Sequence, residues 1–116
     1  MQVQYERRQH RRIDTVLDAT FVPNSDLLFD WGCKSKDLSE GGVRIVSIRE
    51  PIVGGDIEVA FALPAADDMV KVQAEVVWTR PAKIVKGMFE VGIKFADLAD
   101  SKRSILRKFI SAQASE

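Results

Sequence analysis

Four arginines and one glutamate fall between Glu6 and Arg12, giving this short window a net charge of +3 in a chain whose formal charge is zero. Arg8 and Arg12 form an R-x-x-x-R spacing directly ahead of an alternating segment that begins at Ile13, with Arg7 just before it. A guanidinium plane can stack on a base and can also donate a forked pair of hydrogen bonds to guanine O6 and N7 or to a phosphate; lysine cannot do both. Further on, Asp37-Leu38-Ser39-Glu40-Gly41-Gly42 reads D-x-S-x-x-G. Its leading carboxylate can accept both guanine N–H donors, the Ser39 hydroxyl points the same way, and Gly42 lets a ligand or the arm approach. Taken singly these patterns are ordinary. R-x-x-x-R occurs in many basic arms, turn stabilisation alone would explain Asp37 and Ser39, and Gly42 could simply hold a positive φ.

Catalytic chemistry has little to work with. A nucleophile system would have to combine Ser39, Asp37 and the single histidine, His10, whose arginine neighbours disfavour the imidazolium that a general base becomes. The carboxylate pairs Asp67/Asp68 and Asp97/Asp100 sit at turn and cap positions, where aspartate is expected anyway. One histidine and one cysteine, Cys33, leave no metal-ligand spacing and no internal disulfide. No glycine-rich phosphate loop follows a strand. The expectation is a protein that is not an enzyme and carries no cofactor or metal.

The elements that must position the arginines and the D-x-S-x-x-G turn read mostly as strands. Ile13, Thr15, Leu17, Ala19 and Phe21 alternate with polar residues; Leu27, Phe29, Trp31 and Cys33 form a second period-2 run, with Gly32 suggesting a bulge. Residues 34–42 read as a polar connection, followed by a β-branched strand over residues 43–48. Ile57, Val59, Phe61 and Leu63 make a fourth run, ended by Pro64. Val70, Val72, Ala74, Val76 and Trp78 share one face of the clearest strand. Phe89, Val91, Ile93 and Phe95 face one way in the last strand, with Gly92 opposite, where something can come close to the backbone. At Ala96 the period changes, and Ile105, Leu106, Phe109 and Ile110 mark an amphipathic helix of about three turns, with residues 111–116 as a frayed tail. Six strands and one helix predict an all-β fold, a six-stranded antiparallel barrel with one C-terminal helix. The 116 residues, 46% hydrophobic, support one domain. Residues 1–12 are expected as a flexible arginine-rich arm and residues 13–112 as the barrel domain with its helix.

In this order and this fold context the two motifs resemble those of the PilZ domains, bacterial receptors for cyclic di-GMP. Residues 6–13 look like the family's arginine motif, with Arg8 and Arg12 in the R-x-x-x-R positions. Residues 37–43 look like its second motif, with Asp37, Ser39 and Gly42 at the defining places. Residues 74–78 and 89–95 are similar to its last two strands, and residues 105–110 to its terminal helix. The resemblance covers essentially the whole chain and implies a six-stranded barrel. It also implies a non-catalytic receptor that binds cyclic di-GMP through Arg7, Arg8, Arg12, Asp37, Ser39 and Gly42. An arginine directly before R-x-x-x-R implies two stacked nucleotides per chain. Trp78 is a further candidate stacking surface, weighed against a place in the core or at its rim. The ordered arm would signal to an unidentified downstream protein controlling motility, biofilm or exopolysaccharide.

Two other classes fit parts of the sequence. A nucleic-acid phosphate clamp would use the arm without reading bases, but zero net charge and the lack of an aromatic stripe on a basic face count against it. A nucleotide-independent interaction adaptor would leave the intact motifs unexplained. The start MQVQYERRQHRR has no hydrophobic stretch, and no apolar run approaches the ~20 residues of a membrane span. A cytoplasmic location and no membrane partner are therefore expected.

Overall fold

Apolar residues at every second position give each segment one side that water cannot satisfy, and a sheet that curls closed hides all those sides at once. A computed structural model describes residues 12–23, 31–63 and 69–114. In chain order it contains β1 (Ile13–Asp14), β2 (Asp18–Pro23), β3 (Trp31–Leu38), β4 (Gly42–Ser47), β5 (Asp56–Phe61), β6 (Val70–Pro81), β7 (Phe89–Phe95) and α1 (Asp100–Ala114). The hydrogen-bonded order is β3-β2-β5-β6-β7-β4, and β4 returns to β3. Six antiparallel strands thus close into a barrel, and β1 lies outside it, paired to β3.

The inside is apolar. β4 buries Val43 and Ile45, β5 buries Ile57, Val59 and Phe61, β6 buries Val70, Val72, Ala74 and Val76, and β7 buries Val91, Ile93 and Phe95. Phe61 and Phe95 meet edge to face, their centroids 5.9 Å apart at 72°. Each such valine, isoleucine or phenylalanine removed from water stabilises the fold by roughly 1.5–3 kcal/mol. Leu106 and Ile110 of α1 reach the same core, with Phe109 packed against it. The helix also bridges to the β3–β4 turn through an Arg107–Glu40 ion pair (3.1 Å) and to the start of β6 through the Lys102 amine and the Lys71 carbonyl. No helix among the described residues is long and apolar enough to cross a membrane.

Several boundaries differ from the sequence reading, each for a local reason. The first strand is two. Between β1 and β2 the chain leaves the ladder, and the buried Ser35 hydroxyl fills the gap by accepting from Leu17 N–H (2.8 Å) and donating to the Thr15 carbonyl (2.6 Å). The second strand runs through the supposed connection: β3 includes Lys34, Ser35, Lys36 and Asp37, while Leu27 and Phe29 lie outside the described residues. Its polar residues either face outward or, like Ser35, are satisfied by hydrogen bonds, so composition alone resembles a loop. The helix extends to Ala114, past the expected fraying point, and Ile105 is exposed where the sequence placed it on the apolar stripe. Pro64, Asp67 and Asp68 lie outside the described residues.

Candidate functional site

Two irregularities build the outer face of β3, β4, β7 and β6. The β3–β4 register shifts between Ser35 and Asp37, so Asp37 pairs with Arg44 and turns outward after the inward-facing Ser35. The β6–β7 register shifts between Val76 and Trp78, so Trp78 pairs with Gly92 and Arg80 with Glu90. A bulge adds one residue to a strand and re-aims everything beyond it. The expectation that Trp78 shares a face with Val70, Val72, Ala74 and Val76 is corrected by that shift. Its indole lies outside the barrel, directly over Gly92, where a Cβ would collide with the ring. The close approach anticipated at Gly92 is therefore made by Trp78 itself.

Along this face the charges interlock. Asp37 is 2% exposed. Its Oδ2 is 2.6 Å from Arg44 Nη2, and its Oδ1 is 3.7 Å from Arg12 Nη1. Arg44 also reaches Glu90, at 3.8 Å. Glu90 accepts hydrogen bonds from Lys36 Nζ (3.0 Å) and from Arg80 Nε and Nη2 (3.0 and 2.7 Å). The Arg80 guanidinium in turn lies 5.0 Å from the centre of the Trp78 ring. Hydrogen bonds from Arg80 and then from Lys36 hold the Glu90 carboxyl below its ordinary range, against the opposing effect of burial. Four cations (Arg12, Lys36, Arg44, Arg80) thus meet two carboxylates, leaving the strip positive. Arg44 Nε is buried without a hydrogen-bond partner among the described residues, a donor pointing into an incompletely satisfied site.

Of the residues singled out in the sequence, Arg12 and Asp37 come together. Arg12 is the first residue before β1, and the pairing of Ile13 with Leu38 and of Asp14 with Asp37 sets it beside the carboxylate. Ser39 is buried in the β3–β4 turn, where its hydroxyl accepts from Gly41 N–H (3.1 Å) and Gly42 N–H (3.2 Å). It therefore shapes the turn. Gly42 does not have a positive φ; a side chain there would strike the Ile93 carbonyl of β7, so glycine is required for barrel closure. Arg7, Arg8 and His10 lie outside the described residues. The sequence reading did not single out Arg44, Glu90, Lys36 or Arg80. A charged residue two places past the motif's last glycine, on the polar side of a strand, was the available signal for Arg44.

A six-stranded antiparallel barrel with a C-terminal helix, carrying the last arginine of R-x-x-x-R beside the aspartate of D-x-S-x-x-G, defines a class of small barrel modules. The PilZ domain family model matches residues 6–112, and the chain belongs to that family. Among solved structures it is similar to the Bacillus subtilis inhibitor of motility MotI/DgrA, with TM-score 0.75, 19% identity, and coverage of 94% of this chain and 52% of that one. It is also similar to the PilZ domain with c-di-GMP of YcgR from Escherichia coli, with TM-score 0.73, 14% identity, and coverage of 91% of this chain and 90% of that one. The K. pneumonia MrkH–c-di-GMP complex gives TM-score 0.65 at 9% identity, covering 94% of this chain and 55% of that one. The chain thus spans about half of MotI and of MrkH, and most of the isolated YcgR domain. A comparison with curated proteins found no match.

Proposed function

We propose that this chain is a non-catalytic receptor for cyclic di-GMP, with residues 1–12 as an arm that orders over the outer face of the barrel domain, residues 13–112. The observation that carries this reading is the 3.7 Å approach of Arg12 to the buried carboxylate of Asp37. It joins the two sequence motifs at one place, and the structures of YcgR and MrkH with c-di-GMP lend the ligand. In this reading Arg8 and Arg12 take guanine and phosphate by stacking and forked hydrogen bonds, and Asp37 accepts from a guanine edge. Ser39 and Gly42 hold the turn that aims Asp37. Arg7 serves a second, stacked nucleotide, and Trp78, on the outside of the barrel, offers a ring face beside Arg80. Charge-assisted hydrogen bonds and stacking offset the entropy of ordering the arm. The ordered arm is then a new surface for a downstream protein controlling motility, biofilm or exopolysaccharide, so the signal is passed without chemistry.

Calorimetric titration with cyclic di-GMP tests this, with Arg8→Ala and Asp37→Ala in parallel. Saturable binding near two nucleotides per chain, lost in both variants, is expected. One nucleotide per chain would remove the role of Arg7 in a stacked pair. A flat trace for the unaltered protein would overturn the receptor reading. Deletion of residues 1–12 should abolish binding while the barrel stays folded.

A further inference from the structure

The end of the barrel opposite α1 is built differently from the rest of the surface. There β6 runs past Glu75, which pairs with Asp56 at the start of β5, and continues with β7 to the Pro81–Phe89 pair before residues 82–88 close the hairpin. Ala82 N–H to the Met88 carbonyl (2.9 Å) and the positive φ of Gly87 (83°) hold this tip. At the tip Ile84 is 91% exposed, and Val85 is exposed beside it. The β4–β5 connection lies along the same end: Gly54 N–H donates to the Val76 carbonyl (2.7 Å), and Thr79 donates to Glu50 (2.6 Å). It presents Ile52, 79% exposed, and Val53. A scattered exposed apolar side chain is ordinary, but four on two adjacent loop tips are not.

The charge around them is one-sided. Lys83 and Lys86 flank Ile84 and Val85, neither amine pairs with a described residue, and the hairpin connection contains no acid. On the neighbouring loop the one acid, Glu50, accepts a hydrogen bond from Thr79 and keeps its charge, which Arg49 in the same connection balances. The two tips together therefore carry a net positive charge from the lysines. The apolar side chains stand exposed on two loop tips, with the lysine amines beside them on the hairpin. A projecting apolar tip bracketed by two amines fits a soft phase with anionic phosphates above hydrocarbon, where the amines stay at headgroup level and the isoleucines enter. We propose that this end of the barrel docks on an anionic lipid bilayer through Ile84, Val85, Ile52 and Val53, with Lys83 and Lys86 at the phosphates. The expectation of no membrane partner rests on the lack of a spanning apolar run, and a peripheral contact needs none. The inference is independent of cyclic di-GMP binding.

The test uses the full chain and vesicles of phosphatidylcholine, with and without phosphatidylglycerol. Burial pushes the Cys33 thiol up to about 12, so a fluorophore maleimide at neutral pH goes to an introduced exposed cysteine. One probe replaces Ile84 (Ile84→Cys), and a control sits on the far helix (Ser104→Cys). The expected result is a blue shift at position 84 with anionic vesicles alone and none at position 104. At about 5-fold per lysine, Lys83→Gln with Lys86→Gln should raise the lipid needed about 30-fold, and Ile52→Ser should weaken binding in sedimentation of the unlabelled chain. Equal response at 84 and 104, binding that survives the double lysine change, or no binding to anionic vesicles would each overturn the proposal. Binding carried by the arginine arm alone leaves the probe at 84 unshifted and counts against it in the same way.

Discussion

Replacing Glu90 by glutamine leaves the shape of the outer face in place and removes one buried charge. Glu90 is 7% exposed and faces three cations: Arg80 with two hydrogen bonds, Lys36 with one, and Arg44 at 3.8 Å. Breaking a fully buried pair costs ~3–5 kcal/mol. The side chains of Arg80 and Lys36 are 50% and 38% exposed, so water compensates part of the loss. An exposed pair is worth at most about 1 kcal/mol. Setting each of the two hydrogen-bonded partners near the top of that range gives about 2 kcal/mol for Glu90→Gln. For a domain of this size that corresponds to a fall in Tm of about 8 °C. Because the folded-state carboxyl is held below its ordinary value of 4.5, first by Arg80 and then by Lys36, the contribution is complete above that value. It is lost as pH falls through the lowered folded value. Urea denaturation of both proteins should therefore give a constant gap from about pH 8 down to pH 5.5, closing at lower pH. A gap that persists undiminished in acid, or a Tm change under about 2 °C, would show that solvent already satisfies these cations.

Other positions give equally direct tests. Ser35→Ala strands the Leu17 N–H and the Thr15 carbonyl; a loss of about 2–3 kcal/mol in urea unfolding is expected, and Ser35→Thr should recover part of it. Gly92→Ala drives a methyl into the Trp78 indole. A cost of about 1–3 kcal/mol and a red-shifted Trp78 emission, read in a Trp31→Phe background, should follow as the ring swings into water. Cys33, with its thiol pushed up to about 12, should react with a thiol reagent at pH 8 on the order of a thousandfold more slowly than after unfolding.

The inner surface of the barrel was legible because burial acts on every second residue. Val70 to Val76 alternate in burial as they do in the sequence, and Val91, Ile93 and Phe95 all reach the core as their period-2 spacing requires. The outer face was less so. Nothing in the string Lys34-Ser35-Lys36-Asp37 distinguishes a loop from a strand whose inward position is a hydrogen-bonded serine. Bulges are equally hidden: one extra residue between Val76 and Trp78 took Trp78 off the face it shares with Val76 in the sequence pattern and turned it outward. In the candidate site the local motifs were legible: Arg12 and Asp37 come together, and Ser39 holds its turn. Partners that come from distant strands were not. Glu90 lies fifty-four residues from Lys36, and only barrel closure makes them neighbours.

The short β1 strand also acts as a ruler. Clamped to β3 by Ile13 and Asp14, it fixes Arg12, the root of the proposed arm, immediately beside Asp37. A chain advances at most about 3.6 Å per residue, so the Arg8 Cα can stand no more than ~14 Å from that of Arg12, however the arm is arranged. On a molecule held by Arg8 and Asp37 together, the two contacted groups must lie within that radius plus the length of an arginine side chain. In the proposed receptor the tether therefore limits how far apart the two contact points on a bound molecule can lie. Inserting two residues between Arg8 and Arg12 would lengthen the measure by about 7 Å, altering which molecules can be spanned while leaving every residue of the barrel face in place.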